Sequence, residues 1–170
     1  MDVTPGSFIA DYTGEAGDRT FFIQARGDST YTFLAEKQQV DLLAERLREM
    51  LLLLDGDDAI GGAVPARDPS LTLEAPIEPE WRVGTIAIGY VEESDQVVIS
   101  LAPAQEDPPE DPDDIEFDAR FFLDKEQVRA FALHAAAVVA EGRPLCQLCG
   151  LPMDPAGHNC PSSNGHRVTA

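Results

Sequence analysis

Basic side chains are scarce in this sequence: 12 lysines and arginines stand against 31 aspartates and glutamates in 170 residues, a formal net charge of -19. A field of that sign repels the phosphates of nucleic acids and anionic lipids over roughly 8 Å, one Debye length at physiological salt, so general nucleic-acid binding is disfavoured. Long apolar runs are missing too. The most hydrophobic stretch, Met50 to Leu54, follows Arg46, Arg48 and Glu49 and falls far short of the roughly 18 residues of a membrane span, so it reads as a helix end. The opening MDVTPGSFIA has neither the basic nor the long apolar region of a secretory signal, and a cytoplasmic location is expected. Cysteine is sparse, with three residues, an odd number that suits no disulfide framework; in a reducing compartment metal ligation is the better reading. Phosphate-cradling glycine loops, G-x-S-x-G elbows and H-E-x-x-H helices are all absent, and no catalytic residue is assigned.

Hydrophobic residues at 44% and charged residues at 25% are those of a chain that folds, long enough for its own core. Val40, Leu43, Leu47, Met50 and Leu54 recur at the three-and-four spacing of one helix face. Val128, Phe131, Ala132, Ala135, Val138 and Val139 do the same for a second helix over about 125–141. Asp124 and Gln127 predict a capping box at its start, and Gly142 and Pro144 supply a stop. His134 falls at the flank of that apolar face, as a satisfied or half-exposed histidine more often than a base.

The two helical segments superpose at a shift of 88, which sets Phe33, Lys37, Gln39, Val40 and Ala44 on Phe121, Lys125, Gln127, Val128 and Ala132. Upstream, at a shift of 77, Phe8-Ile9-Ala10 meets Thr85-Ile86-Ala87 and Phe21-Phe22 meets Val98-Ile99. Each copy then reads strand, turn, strand, strand, helix. The expected fold is α+β: two βββα-like repeats forming an antiparallel sheet with both helices on one face, plus a zinc-knuckle tail. The first unit is 1–54, a partly mobile Gly/Pro-rich connector is 55–80, the second unit is 81–142 and the tail is 143–170. An acidic, proline-rich insertion, 104–118, accounts for the change of shift. Its carboxylates lack the ligand spacing and turn glycine of a calcium loop, and a solvated insertion is expected.

All three cysteines lie within CQLCGLPMDPAGHNC, Cys146 to Cys160. A Cys-x-x-Cys turn delivers two thiolates to one ion, here from Cys146 and Cys149, and Gly150 permits the left-handed closure such knuckles use. His158 and Cys160, two apart, face one side of an extended chain. The four ligands predict a closed structural Zn²⁺ site with three sulfurs and one imidazole. His166 is the reserve fourth ligand. A redox Cys-x-x-Cys would want a following helix, and none is evident.

RTFFIQARG from Arg19, EKQQV from Glu36, WRVGTIAIGY from Trp81 and the closing CQLCGLPMDPAGHNCPSSNGHR together resemble an uncharacterised actinobacterial family of conserved hypothetical proteins, a domain of unknown function with a C-terminal CxxC...HxC motif. The resemblance runs over nearly the full length. It retains Cys146, Cys149, His158, Cys160 and Asn164-Gly165, whereas Ser162 stands where that family would place a basic residue. It implies no activity; members look like genomic companions of a phosphatidylinositol-kinase-like and a histidine-phosphatase-like protein.

By elimination, the sequence points to a non-catalytic, zinc-stabilised protein-interaction or adaptor protein with a protein partner and no membrane contact. Two alternatives stay open. One is an enzyme or small-ligand binder with an unrecognised pocket between sheet and helices. The other is a weak nucleic-acid contact through Arg143, His166 and Arg167.

Overall fold

The computed structural model describes residues 1–15, 17–56, 63–141, 146–150, 158–163 and 167–168. The chain divides into two compact units, Met1–Val139 and Ala140–Ala170. In the first, the elements run β1 (Asp2–Val3), β2 (Ser7–Glu15), β3 (Asp18–Arg26), β4 (Thr30–Ala35), α1 (Lys37–Asp55), β5 (Val83–Val91), β6 (Gln96–Pro103), β7 (Ala119–Leu123) and α2 (Lys125–Ala140). The α+β class and the doubled βββα order are therefore present. Hydrogen bonds divide the strands between two sheets, β2-β3-β4 and β1-β7-β6-β5. All pairs are antiparallel except β1 with β7.

Period-two alternation explains the strands. Phe8, Ala10 and Tyr12 of β2, and Phe21, Ile23 and Ala25 of β3, join the central core, while Ile9, Asp11, Phe22 and Gln24 belong to the opposite face. One cross-strand row in each copy shows the repetition. Ala10 pairs with Ile23 and Ile23 with Phe33 in the first copy; Ile88 pairs with Ile99 and Ile99 with Phe121 in the second. The equivalences are thus Ala10 to Ile88, Ile23 to Ile99 and Phe33 to Phe121, shifts of 78, 76 and 88. The single shift of 77 expected from sequence is corrected, because a one-residue slip would turn every core side chain to the wrong face. The difference lies in the hairpins. β2 and β3 each run five residues from this row to the Glu15–Asp18 pair, whereas β5 and β6 each run three to the Val91–Gln96 pair, so the second hairpin is two residues shorter although it turns across four residues and the first across two. Between the later strands the first copy has a loop at 27–29, and the second has the acidic segment 104–118.

The predicted face of α2 turns into this core through Val128, Phe131, Ala132, Ala135, Val138 and Val139, and α1 enters it through Val40, Leu43, Ala44, Leu47 and Leu51, with Met50 and Leu54 of its expected face half-buried at the margin. Four phenylalanine rings knit the copies together: Phe8 lies 5.2 Å from Phe131 and 5.3 Å from Phe121, and Phe33 lies 5.7 Å from Phe121. The segments leading into the two copies are exchanged. β1 pairs with β7 of the second copy. The stretch before β5 joins β4 of the first copy, where Leu34 N donates to Trp81 O at 3.0 Å and Glu80 N to Thr32 O at 2.8 Å, and Leu34 bridges Arg82 in parallel.

The capping box of α2 forms as the sequence predicts, with Gln127 N donating to Asp124 Oδ1 at 2.8 Å and Asp124 N to Gln127 Oε1 at 3.0 Å. Gly142 and Pro144, its expected stop, lie outside the described residues.

The connector is not a loose tether over 63–80. Gln24, fully buried, donates its amide to Glu74 O at 3.0 Å and accepts from Glu74 N at 2.8 Å, so its side chain stands in for a strand neighbour. Arg67 forks onto the buried carboxylate of Asp11 at 2.8 and 2.9 Å. Asp68 N donates to Nδ1 of His134 at 2.9 Å, and Leu71 is buried. These contacts lay the segment over the outer face of β3 and carry it from β2 to α2.

Candidate metal centre

In the second compact unit, Cys146 and Cys160 are buried and Cys149 is half-buried. The three sulfurs lie within 4.8 Å of one another. Cys146 Sγ and Cys160 Sγ are 3.7 Å apart, well beyond the roughly 2.05 Å of a disulfide. Local backbone chemistry accounts for the knuckle. Gly150 N donates to Cys146 O at 2.9 Å, and Gly150 has a φ of 73°, a left-handed conformation that glycine adopts without a steric cost. Cys160 follows β8 (His158–Asn159), which pairs antiparallel with β9 (Arg167–Val168) and leads into a short 3-10 turn, Pro161–Ser163.

The geometry suits a metal ion. Sulfurs at about 2.3 Å from a tetrahedral centre stand about 3.8 Å from one another, and the Cys146 to Cys160 separation of 3.7 Å meets that condition. Burial of two of the three also excludes the water that would hydrate separate thiolates. Of the four residues the sequence nominates, the structure brings these three together. The backbone of His158 lies in β8; its side chain lies outside the described residues, as do His166, Arg143, the Asn164-Gly165 pair and residues 151–157.

Among the described residues, no other group of three or more histidine, cysteine or acidic side chains converges in this way. The acidic segment 104–118 carries a single 3-10 turn, Pro112–Asp114, started by Asp113 N donating to Asp111 Oδ1 at 3.0 Å, and its acidic side chains are exposed. His134 is fully buried and accepts from Asp68 N, a structural role in place of a half-exposed one.

Sequence reasoning did not find an exposed cluster in the first unit. Lys125 Nζ bonds Asp55 Oδ1 at 2.7 Å and Asp95 Oδ1 at 2.9 Å, and Tyr90 Oη donates to Asp95 Oδ1. Asp55 and then Asp95 hold the Lys125 ammonium above its usual range. Tyr90 and then Lys125 hold the Asp95 carboxyl below its own, and the bond to Asp95 raises the Tyr90 phenol. Matching Lys37 with Lys125 flagged the lysine, but nothing in the spacing announced its partners. Among the described residues, no helix is long and apolar enough to cross a membrane.

Neither the curated proteins nor the solved structures contain a match to this chain. A family model described as "Protein of unknown function (DUF3090)" matches residues 3–160, nearly all of the βββα copies and the cysteine cluster, and the chain belongs to that family.

Proposed function

We propose that the protein is a non-catalytic protein-interaction or adaptor protein whose tail is clasped by a structural Zn²⁺ ion. Cys146, Cys149 and Cys160 supply three thiolates. His158, two residues before Cys160 in the extended β8, has the spacing for the fourth ligand. With no position left for water or substrate, the ion would act as a fastener and not as a Lewis acid. The observation that carries this reading is the convergence of three sulfurs within 4.8 Å on a segment with little core of its own.

Native capture with mass spectrometry, read beside the metal content of the purified protein, tests the proposal. One zinc per chain with one stoichiometric protein partner supports it. Reduced protein that is metal-free as isolated removes the clasp, and turnover of a small substrate removes the adaptor role.

A further inference from the structure

The two βββα copies are equivalent in sequence order but not in what covers them. Between α1 and the outer edge of β5 lies a groove of about 260 Å³, lined chiefly by Gln39, Leu42, Leu43, Arg46, Ile86 and Ile88. Leu42 is 51% exposed, and Ile86 and Ile88 are half-buried. The shifts of 88 for helices and 78 for first strands map this groove onto the other copy. Leu43 becomes Phe131, Arg46 becomes His134 and Ile86 becomes Phe8. There the counterpart is closed. Phe8 and Phe131 meet at 5.2 Å, and Asp68 N bonds His134, while the adjacent Arg67 is anchored by Asp11 on the opposite face of β2. One copy is thus sealed by larger rings and by a stretch of the chain's own connector.

We propose that the groove between α1 and β5 docks an extended segment of a partner protein, in the manner in which residues 67–68 cover the other copy. The inference rests on the adaptor reading above and supplies its contact surface. Two features define the occupant. β5 ends its sheet, and from Thr85 onward no described strand pairs with its outer edge, which invites main-chain pairing by an extended chain. Among the described residues, Arg46 is the only charged side chain lining the groove, on a molecule whose net charge is -19. Its bond to Glu49, 2.9 Å between two largely exposed side chains, is a surface pair easily exchanged. The complementary segment therefore carries apolar side chains for Leu42, Ile86 and Ile88 and a carboxylate for Arg46.

A displayed library of short random peptides selected on the full chain tests this. Selected sequences should alternate apolar residues and contain Asp or Glu. Their binding should weaken at least tenfold in Leu42→Asp and in Arg46→Glu, remain unchanged in Leu53→Asp on the exposed side of α1, and slow amide exchange along 85–90. Leu42 and Arg46 are exposed, so unchanged thermal unfolding should accompany those losses. Absence of a consensus, equal binding to Leu42→Asp, selection of amphipathic helices, or self-association of the native chain that Leu42→Asp abolishes would each overturn the proposal. If Leu42→Asp still holds zinc and still captures the same partner, the adaptor reading stands and the groove assignment alone falls.

Discussion

The side-chain amide of Gln39 donates to Val83 O at 3.0 Å and Gly84 O at 3.2 Å in the second copy. That of Gln127 donates to Pro5 O at 2.8 Å and Gly6 O at 3.1 Å in the first. The carbonyl end of each amide meanwhile accepts from the N-cap N–H of its own helix, Glu36 for Gln39 and Asp124 for Gln127. One residue type at one repeat position thus starts a helix and joins the copies, a task that needs a donor and an acceptor on the same side chain.

Glutamate is the more usual partner in a capping box and would normally be harmless there. Here Gln39→Glu or Gln127→Glu keeps the acceptor and loses the donor, leaving two carbonyls facing a carboxylate. Each substitution should cost about 1–2 kcal/mol, read as a lower urea midpoint at unchanged slope.

Arg67→Ala leaves the buried Asp11 carboxylate without its forked partner. Because Arg67 is 37% exposed, water offsets part of the loss, and a destabilisation of about 1–3 kcal/mol is expected. Amide exchange over 63–74 should accelerate more than in the helices, since Arg67 is, with Gln24 and His134, one of the anchors that hold this stretch down.

The exposed cluster of Tyr90, Asp95 and Lys125 fixes a pH response. A carboxyl held below its usual value contributes stability above the unfolded pKa near 3.8 and loses it as pH falls through the folded value. The raised phenol and ammonium contribute below their unfolded values of 10.0 and 10.5 and lose it only as pH rises through the folded ones. Asp95→Asn should therefore lower the melting temperature between these limits. It should also flatten the decline below about pH 4 and that above about pH 10. A mutant curve parallel to the native one across both limits would contradict this.

Chelation, or Cys146→Ser, should loosen residues 140–170 while the unit Met1–Val139 keeps its thermal transition. Limited proteolysis checks it: cleavage confined to the tail is expected, with the larger fragment resistant.

Much of this was legible because the helices announce themselves. The face from Val40 to Leu51 and its counterpart from Val128 to Val139 follow helical spacing, and Asp124 with Gln127 marks a start. The three sulfurs were legible from Cys-x-x-Cys for the same reason, that local spacing fixes local geometry. The strand shift was misread by one residue each way because Phe21-Phe22 and Val98-Ile99 are apolar on both faces, so alternation could not set the phase. The covered outer face explains that pattern: Phe22 and Gln24 face away from the core yet are buried. Arg67 and Gln24 gave no signal, and His134 gave none of its partner, because Asp11, Glu74 and Asp68 each lie dozens of residues away. The division into two sheets was equally hidden, being set by where the exchanged lead-in segments pair.

That exchange bears on how the molecule is made. Met1 N donates to Asp118 O across 117 residues, and β1 finds its neighbour only in β7. As the chain leaves the ribosome, the first helix and hairpin emerge with the open edge of β4 waiting for Glu80–Arg82, and the leading residues wait longer still. Neither copy completes its own sheet: the edge of the first is closed only once Glu80–Arg82 has been made, and that of the second only when β7 meets β1.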